Sequence, residues 1–267
     1  MTELSGAQRI RKQIRQKKKA GKPVLAVAVD DLSQERVCAE SGCDLTLYYP
    51  TQRYLETKNR FLAGFLPFDN CNETMLEIAG EISAITSDHN LCIGLNGSDP
   101  FKNDRLLLKR LKELLFCAIH NYPPIGLVDG YFGANMDRLK LGFDKEALMI
   151  ERARAEGFFV CCMVRTKSQA LMAAKKGADV IIFYTGLGET KKAPEAEADR
   201  LRTLCAQLRQ AFPALTVLFT SEHLRTVGEI RYVIDRVPET DGYLLMPVRR
   251  EKTTNRQIQQ EIRELYA

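Results

Sequence analysis

Eight apolar runs of strand length recur along this chain, and amphipathic stretches of helical length separate most of them. The runs begin near Val24, Leu45, Leu91, Phe116, Phe158, Val180, Leu215 and Gly242, and read VLAVAV, LTLYY, LCIGL, FCAI, FFVCCMV, VIIFY, LTVLF and GYLLM. They are mostly apolar throughout rather than alternating, the pattern of parallel strands covered on both faces. Helical periodicity occupies residues 33–41, 73–86, 103–115, 145–156, 167–176, 195–212, 224–235 and 254–266. In the third of these, Leu106, Leu107, Leu111, Leu114 and Leu115 are expected on one buried face. Several helices end in Gly, then an acid, then the next strand, as in Ser41-Gly42-Cys43-Asp44 and Lys176-Gly177-Ala178-Asp179, where Gly supplies a left-handed C-terminal turn. Eight β/α units in 267 residues is the arithmetic of a closed barrel. An open doubly wound sheet usually needs fewer strands, and its Gly-x-Gly-x-x-Gly turn is missing. The expected fold is therefore α/β: one (β/α)8 TIM barrel over residues 23–267, with a basic helix over residues 1–22 packed on it.

Charge is concentrated at one end. Eight Lys or Arg against Glu3 give residues 1–23 a charge of +7, which leaves −2 for the other 244 residues. A body without a basic field argues against a nucleic-acid-binding core. The basic run could be an RNA or membrane-surface tether. A helix whose charged face is solvated, docking through Ile10 and Ile14 at i, i+4, is the reading we favour.

No apolar run reaches the ~20 residues that span a bilayer, and the N-terminus lacks the apolar segment of a secretory signal. The eight cysteines form no C-x-x-C pair, and four lie inside strand-like runs. Reduced, buried thiols in a cytoplasmic protein account for this. The three histidines and the cysteines show no paired spacing for zinc.

In barrels of this kind the reacting groups sit where strands end. Those ends carry Asp30-Asp31, Tyr48-Tyr49 with Arg53, Asn96 to Asp99, His120-Asn121, Arg165, Tyr184-Thr185-Gly186, Thr220-Ser221-Glu222-His223 and Met246 to Arg250. Asp99 could act as metal ligand or general base, or Ser98-Asp99-Pro100 could simply start the next helix. Asp129 could face the pocket, or form an ordinary Asp-Gly turn. His120 could donate to a substrate oxygen or pack at the rim. His223 reads as a surface histidine starting a helix. Asp30-Asp31 could hold a cation or cap the following helix. The loops after strands seven and eight lack the glycines of a phosphate nest, so charge for an anion would come from Arg53, Arg249 and Arg250. Long polar segments at 50–71 and 121–143 have the length of functional lids or oligomer contacts.

Four segments carry a family likeness: Leu62-Ala63-Gly64-Phe65-Leu66-Pro67-Phe68-Asp69-Asn70-Cys71-Asn72, Gly94-Leu95-Asn96-Gly97-Ser98-Asp99-Pro100-Phe101, Asn121-Tyr122-Pro123-Pro124-Ile125-Gly126-Leu127-Val128-Asp129-Gly130, and Leu141-Gly142-Phe143-Asp144-Lys145-Glu146. With them the chain resembles, over residues 23–265, the phosphoenolpyruvate hydrolase-like TIM-barrel family, whose domain also forms the C-terminal part of plant tobamovirus-resistance proteins. It resembles a divergent member. After strand six this chain has Gly186-Leu187-Gly188-Glu189-Thr190-Lys191-Lys192, after strand seven Thr220-Ser221-Glu222-His223 replaces a His-Gly-Gly-Pro run, and after strand eight stands Leu245-Met246-Pro247-Val248-Arg249-Arg250.

The resemblance implies a relative of phosphoenolpyruvate-utilising enzymes, which handle small 2-oxo or enol acids, usually with a divalent metal such as Mg. The expectation is a hydrolase or lyase acting on a small anionic metabolite at the C-terminal mouth, in a cytoplasmic homo-oligomer. Asp99, Asn121 and His120 are the candidate catalytic residues. Asn96, Arg53, Asp129 and Gly186 are the candidate substrate contacts, and Asp99 is the candidate metal ligand. The alternative is a catalytically silent barrel with a ligand-binding or regulatory role.

Overall fold

A computed structural model describes residues 4–51, 70–85, 90–247 and 253–267. Eight parallel strands form a closed barrel in chain order: β1 (Val24–Val29), β2 (Leu45–Tyr48), β3 (Leu91–Leu95), β4 (Ala118–Asn121), β5 (Phe159–Val164), β6 (Val180–Thr185), β7 (Thr216–Ser221) and β8 (Gly242–Leu245), with β8 pairing back onto β1. Every residue of these strands is buried, as expected where a ring of helices covers the outside and side chains fill the inside. The described helices are α1 (Gly6–Lys19), α2 (Leu32–Glu40), α3 (Cys71–Ser83), α4 (Asp104–Glu113), α5 (Gly130–Arg138), α6 (Phe143–Ala155), α7 (Lys167–Lys175), α8 (Pro194–Ala211), α9 (Val227–Arg236) and α10 (Asn255–Tyr266).

Two apolar layers follow from the alternation of side chains along each strand. Val27, Ile93, Ile119, Val160, Phe183 and Val217 point outward against the helices. Ala26, Leu47, Cys92, Ala118, Cys161, Ile182 and Leu218 fill the interior. Gly42 (φ +79°) and Gly177 (φ +94°) take the left-handed turns that precede β2 and β6.

Helix α1 belongs to the inner layer. Its N-terminus is fixed by a capping box between Ser5 and Gln8, and Ala7, Ile10 and Ile14 enter the core alongside Val24, Leu45, Ala118 and Phe159. Its cations are keyed to the aspartates that precede three strands. Lys17 Nζ lies 2.6 Å from Asp44, Arg11 Nε 2.8 Å from Asp179, and Lys18 Nζ 3.1 Å from Asp241. Each aspartate also accepts a strand amide: Asp44 from Leu25 N, Asp179 from Val160 N, Asp241 from Val217 N. Part of the basic run is thus explained by a helix that seals the N-terminal end of the barrel.

Two sequence expectations change. Leu107, Leu108 and Leu111 are the buried leucines of α4, while Leu106 and Leu115 are 48% and 60% exposed. Leu115 follows the helix at φ +66°, which turns it off the apolar stripe. The 121–143 segment, expected as a polar loop, contains α5, none of whose residues is buried. Its apolar residues face solvent rather than the core, and Gly130 and Gly133 dilute its helix propensity, which hides the helix in sequence.

Candidate functional site

The family-like segments converge on one buried carboxyl. Asn121 closes β4 on its outward face, and its Nδ2 donates to Glu146 Oε1 of α6 and to the Met163 carbonyl, while Met163 N donates back to Asn121 Oδ1 at 2.7 Å. Ile125 N donates to Glu146 Oε2 at 2.8 Å. From the β3 side, Gly97 lies so close that a Cβ there would stand 2.7 Å from Glu146 Cα. Burial pushes the Glu146 carboxyl up to about 8, against the two hydrogen bonds that favour its charge. Sequence reasoning does not single out Glu146, because an acid on a helix is ordinarily solvated. The available signal is its place on the apolar stripe of α6, three residues after Phe143 and four before Ile150.

The β3 loop is built by Asn72, buried at the start of α3. Asn72 Oδ1 accepts from Asn96 N at 2.9 Å, and its Nδ2 donates to Asp99 Oδ2 at 2.8 Å and to Asn96 O at 3.2 Å. Asn96 Oδ1 accepts from Ser98 N, and Asp99 Oδ1 from Phe101 N, both two-residue Asx turns. The structure therefore brings Asn96 and Asp99 together through Asn72, and turns Asn121 the other way, into the layer between barrel and α6.

His120 occupies the interior. Its ring packs 4.8 Å from Tyr49 and 6.2 Å from Tyr122, and Gly94 leaves the space, since a Cβ there would sit 2.8 Å from Tyr122 Cβ and 3.3 Å from His120 Nε2. Nε2 donates to the Tyr48 carbonyl at 2.9 Å, which leaves Nδ1 as the bare nitrogen, without a well-formed hydrogen bond among the described residues. Burial pulls its pKa down to about 4, and backbone groups of Tyr48 and Asn121 offset only part of that. His120 should therefore stay neutral from about pH 5 upward. Its ring-carbon NMR shifts are expected to stay flat from about pH 5.5 to 8, and a titration midpoint near the ordinary histidine value would contradict this burial.

Other strand ends are equally specific. Arg165, two residues beyond the inward-facing Met163, donates through Nη1 to Asp129, which begins α5; the side chains are 34% and 64% exposed. Asp31 caps α2 by accepting from Gln34 N at 2.8 Å. Asp30 accepts from Gln34 Nε2 and Thr51 Oγ1. Thr220, on the inward register of β7 after Leu218, has a buried hydroxyl with no hydrogen-bond partner among the described residues. His223 corrects the surface reading: it is fully buried, because Gly186 (φ +78°) lays its backbone against the ring and Lys192 N donates to Nδ1 at 3.3 Å. Beside it, Thr185 Oγ1 donates to the buried Glu197 of α8. Strands β4 and β6 thus share a device: an outward polar residue at the strand end, tied to a buried glutamate of a helix in the outer ring.

Arg53, Arg249 and Arg250 lie outside the described residues, as does most of the 50–71 segment. Both oxygens of Asp99 are already taken by Asn72 and Phe101, and the described residues include no group of three His, Cys, Asp or Glu side chains placed to hold a metal ion. All eight cysteines are free thiols. No helix among the described residues is long and apolar enough to cross a membrane.

A closed parallel barrel with polar side chains gathered at the C-terminal ends of its strands defines a (β/α)8 protein with an enzyme-like fold. Residues 9–265 match the phosphoenolpyruvate hydrolase-like family, and the chain belongs to it. It is 26% identical over 230 residues to the ToMV resistance protein Tm-1(GCR237) of Solanum lycopersicum, covering 84% of this chain and 30% of that protein. The susceptible counterpart tm-1(GCR26) matches to the same extent. The chain therefore spans about 30% of the length of these curated relatives. Among solved structures, 2,3-dimethylmalate lyase, a PEP mutase/isocitrate lyase superfamily member, superposes with a TM-score of 0.55 at 14% identity, over 91% of this chain and 81% of that one. At that identity the likeness concerns the fold.

Proposed function

We propose that this barrel is an enzyme acting on a small 2-oxo or enol acid at its C-terminal mouth, by hydrolase or lyase chemistry. The observation that carries the reading is His120: a neutral imidazole on the inner wall, with Nε2 fixed by a backbone carbonyl and Nδ1 left as a buried acceptor. A nitrogen with a pKa of about 4 is a weak base, so its role is to accept a hydrogen bond from a substrate hydroxyl or enol without taking the proton outright. Thr220 offers a hydroxyl from β7, and Arg165 offers a planar bidentate cation for a carboxylate, released from Asp129 when the acid binds. Asn96, Asp99 and Asn121 shape the wall that holds these groups. The glycine-poor loops after β7 favour a carboxylate over a phosphoryl group as the anion held there. The lyase-type structural neighbour is compatible with this class of substrate.

The test is a thermal-shift screen of pyruvate-like and malate-like acids and phosphoenolpyruvate, with and without Mg. A binder at ~100 times its Kd stabilises by about 2.7 kcal/mol, roughly 5–10 °C for a domain of this size. The shift is expected to persist in Asp99→Asn and to vanish in Arg165→Met. Absence of any shift across the panel would favour the catalytically silent reading, to which the internal commitment of Asp99 and Asn121 already gives some support.

A further inference from the structure

We infer that α5 and the groove beside it form a two-fold contact between two copies of this chain. Helix α5 is the one described helix longer than a turn that buries no residue, yet Tyr131, Phe132 and Leu139 on and just after it are 84%, 63% and 67% exposed. With Met136 they fall within one face at 100° per residue. At ~150–250 Å² for each fully exposed aromatic, the three present roughly 400 Å² of apolar surface, about half of the ~800 Å² that a standard interface buries per partner.

A groove next to it extends the patch. A groove of about 500 Å³ runs between α5, α6 and α7, with Val128, Gly133, Met136, Phe143 and Met172 in its lining. A protruding aromatic pair beside a groove of suitable size is a self-complementary patch, which a two-fold axis requires. Tyr131 suits a lining of mixed polarity, since its ring is apolar and its tip can hydrogen-bond.

Charge points to a second copy rather than to an unrelated apolar partner. Asp137 and Asp144 line the groove, and Arg138 and Lys140 follow the aromatic pair. None of the four makes an ion pair with another described residue. An antiparallel pairing of two α5 helices sets the cations of one copy against the acids of the other, twice. The contact would border the mouth, because α5 begins at Asp129, the partner of Arg165.

Sedimentation velocity of the full chain between about 1 and 100 µM tests this, since an association linked to folding is concentration-dependent. The wild-type chain is expected to sediment as a dimer at the upper end. Phe132→Glu should raise the dimer dissociation constant roughly hundredfold or more, because the residue occurs twice in a two-fold contact. Arg138→Glu should raise it several-fold. Both variants should keep the wild-type circular dichroism spectrum, because neither residue is in the core. A wild-type monomer at about 100 µM, or an oligomer that both variants leave intact, would overturn the proposal. The latter result would place the interface on another face.

Discussion

Removing residues 1–22 should leave a barrel that no longer folds cooperatively, the largest effect expected of any change to this chain. The truncation uncovers the inner core at Val24, Leu45, Ala118 and Phe159, which Ala7, Ile10 and Ile14 now cover. It also takes from Asp44 its Lys17 partner, whereas Asp179 and Asp241 keep Arg154 and Arg209. Lys17→Ala should accordingly be the most costly of the three cation replacements, since these pairs are largely buried and losing one partner of such a pair costs about 3–5 kcal/mol. Ile10→Ala is the milder test of the same idea, expected to cost about 2–5 kcal/mol, or roughly 4–20 °C in melting temperature. Urea unfolding followed by circular dichroism checks both. A truncated chain with wild-type stability would mean that α1 is an appended arm, and would reopen the nucleic-acid reading of its basic residues.

The second large effect is a loss of stability on the alkaline side. Glu146 has a folded-state pKa of about 8 against 4.5 in a solvated chain, because its carboxyl is completely buried. Between those values the folded protein binds more protons than the unfolded one, so stability must fall as pH rises. The contribution is intact below about pH 4.5, declines through the neutral range, and is spent above pH 8. Each pH unit between the two values is worth about 1.4 kcal/mol, so the loss from about pH 5 to 9 is on the order of several kcal/mol. Glu146→Gln removes the titration and keeps one acceptor oxygen, which Asn121 Nδ2 or Ile125 N can use but not both, so its stability should be flatter over this range while carrying one unpaired donor at every pH. Glu146→Ala leaves the Ile125 amide without its acceptor and should be destabilised at every pH. A wild-type profile that rises from about pH 5 to 9, with the Gln variant parallel to it, would show that Glu146 is solvated.

These two effects depend on residues that sequence could only half disclose. The buried isoleucines of α1 are legible, because Ile10 and Ile14 lie four apart amid charge and only a docked helix explains that spacing. That Lys17, Arg11 and Lys18 find Asp44, Asp179 and Asp241 is not legible, since each pair spans a stretch of chain and depends on the barrel closing. Glu146 and Glu197 escape for the opposite reason: an acid on a helix is ordinarily solvated, and only the closeness of Gly97 and of the Thr185 hydroxyl shows that these two are enclosed. His223 misleads in the same way, because nothing in Thr220-Ser221-Glu222-His223 reveals that Gly186 lies across its ring.

Local patterning alone determined eight parallel strands, their order along the chain and the helices between them except α5, because apolar runs and helical stripes are properties of neighbouring residues. Which strand-end side chains look inward was decided by the tertiary structure. A polar group placed one residue along a strand changes faces, so His120 enters the barrel while Asn121 leaves it. Hydrogen-bond competition was decided there too: Asp99 is occupied by Asn72, 27 residues earlier in the chain. The physical reason is that burial and hydrogen-bond satisfaction depend on everything that surrounds a group, and for a barrel mouth that surrounding is assembled from all eight units at once.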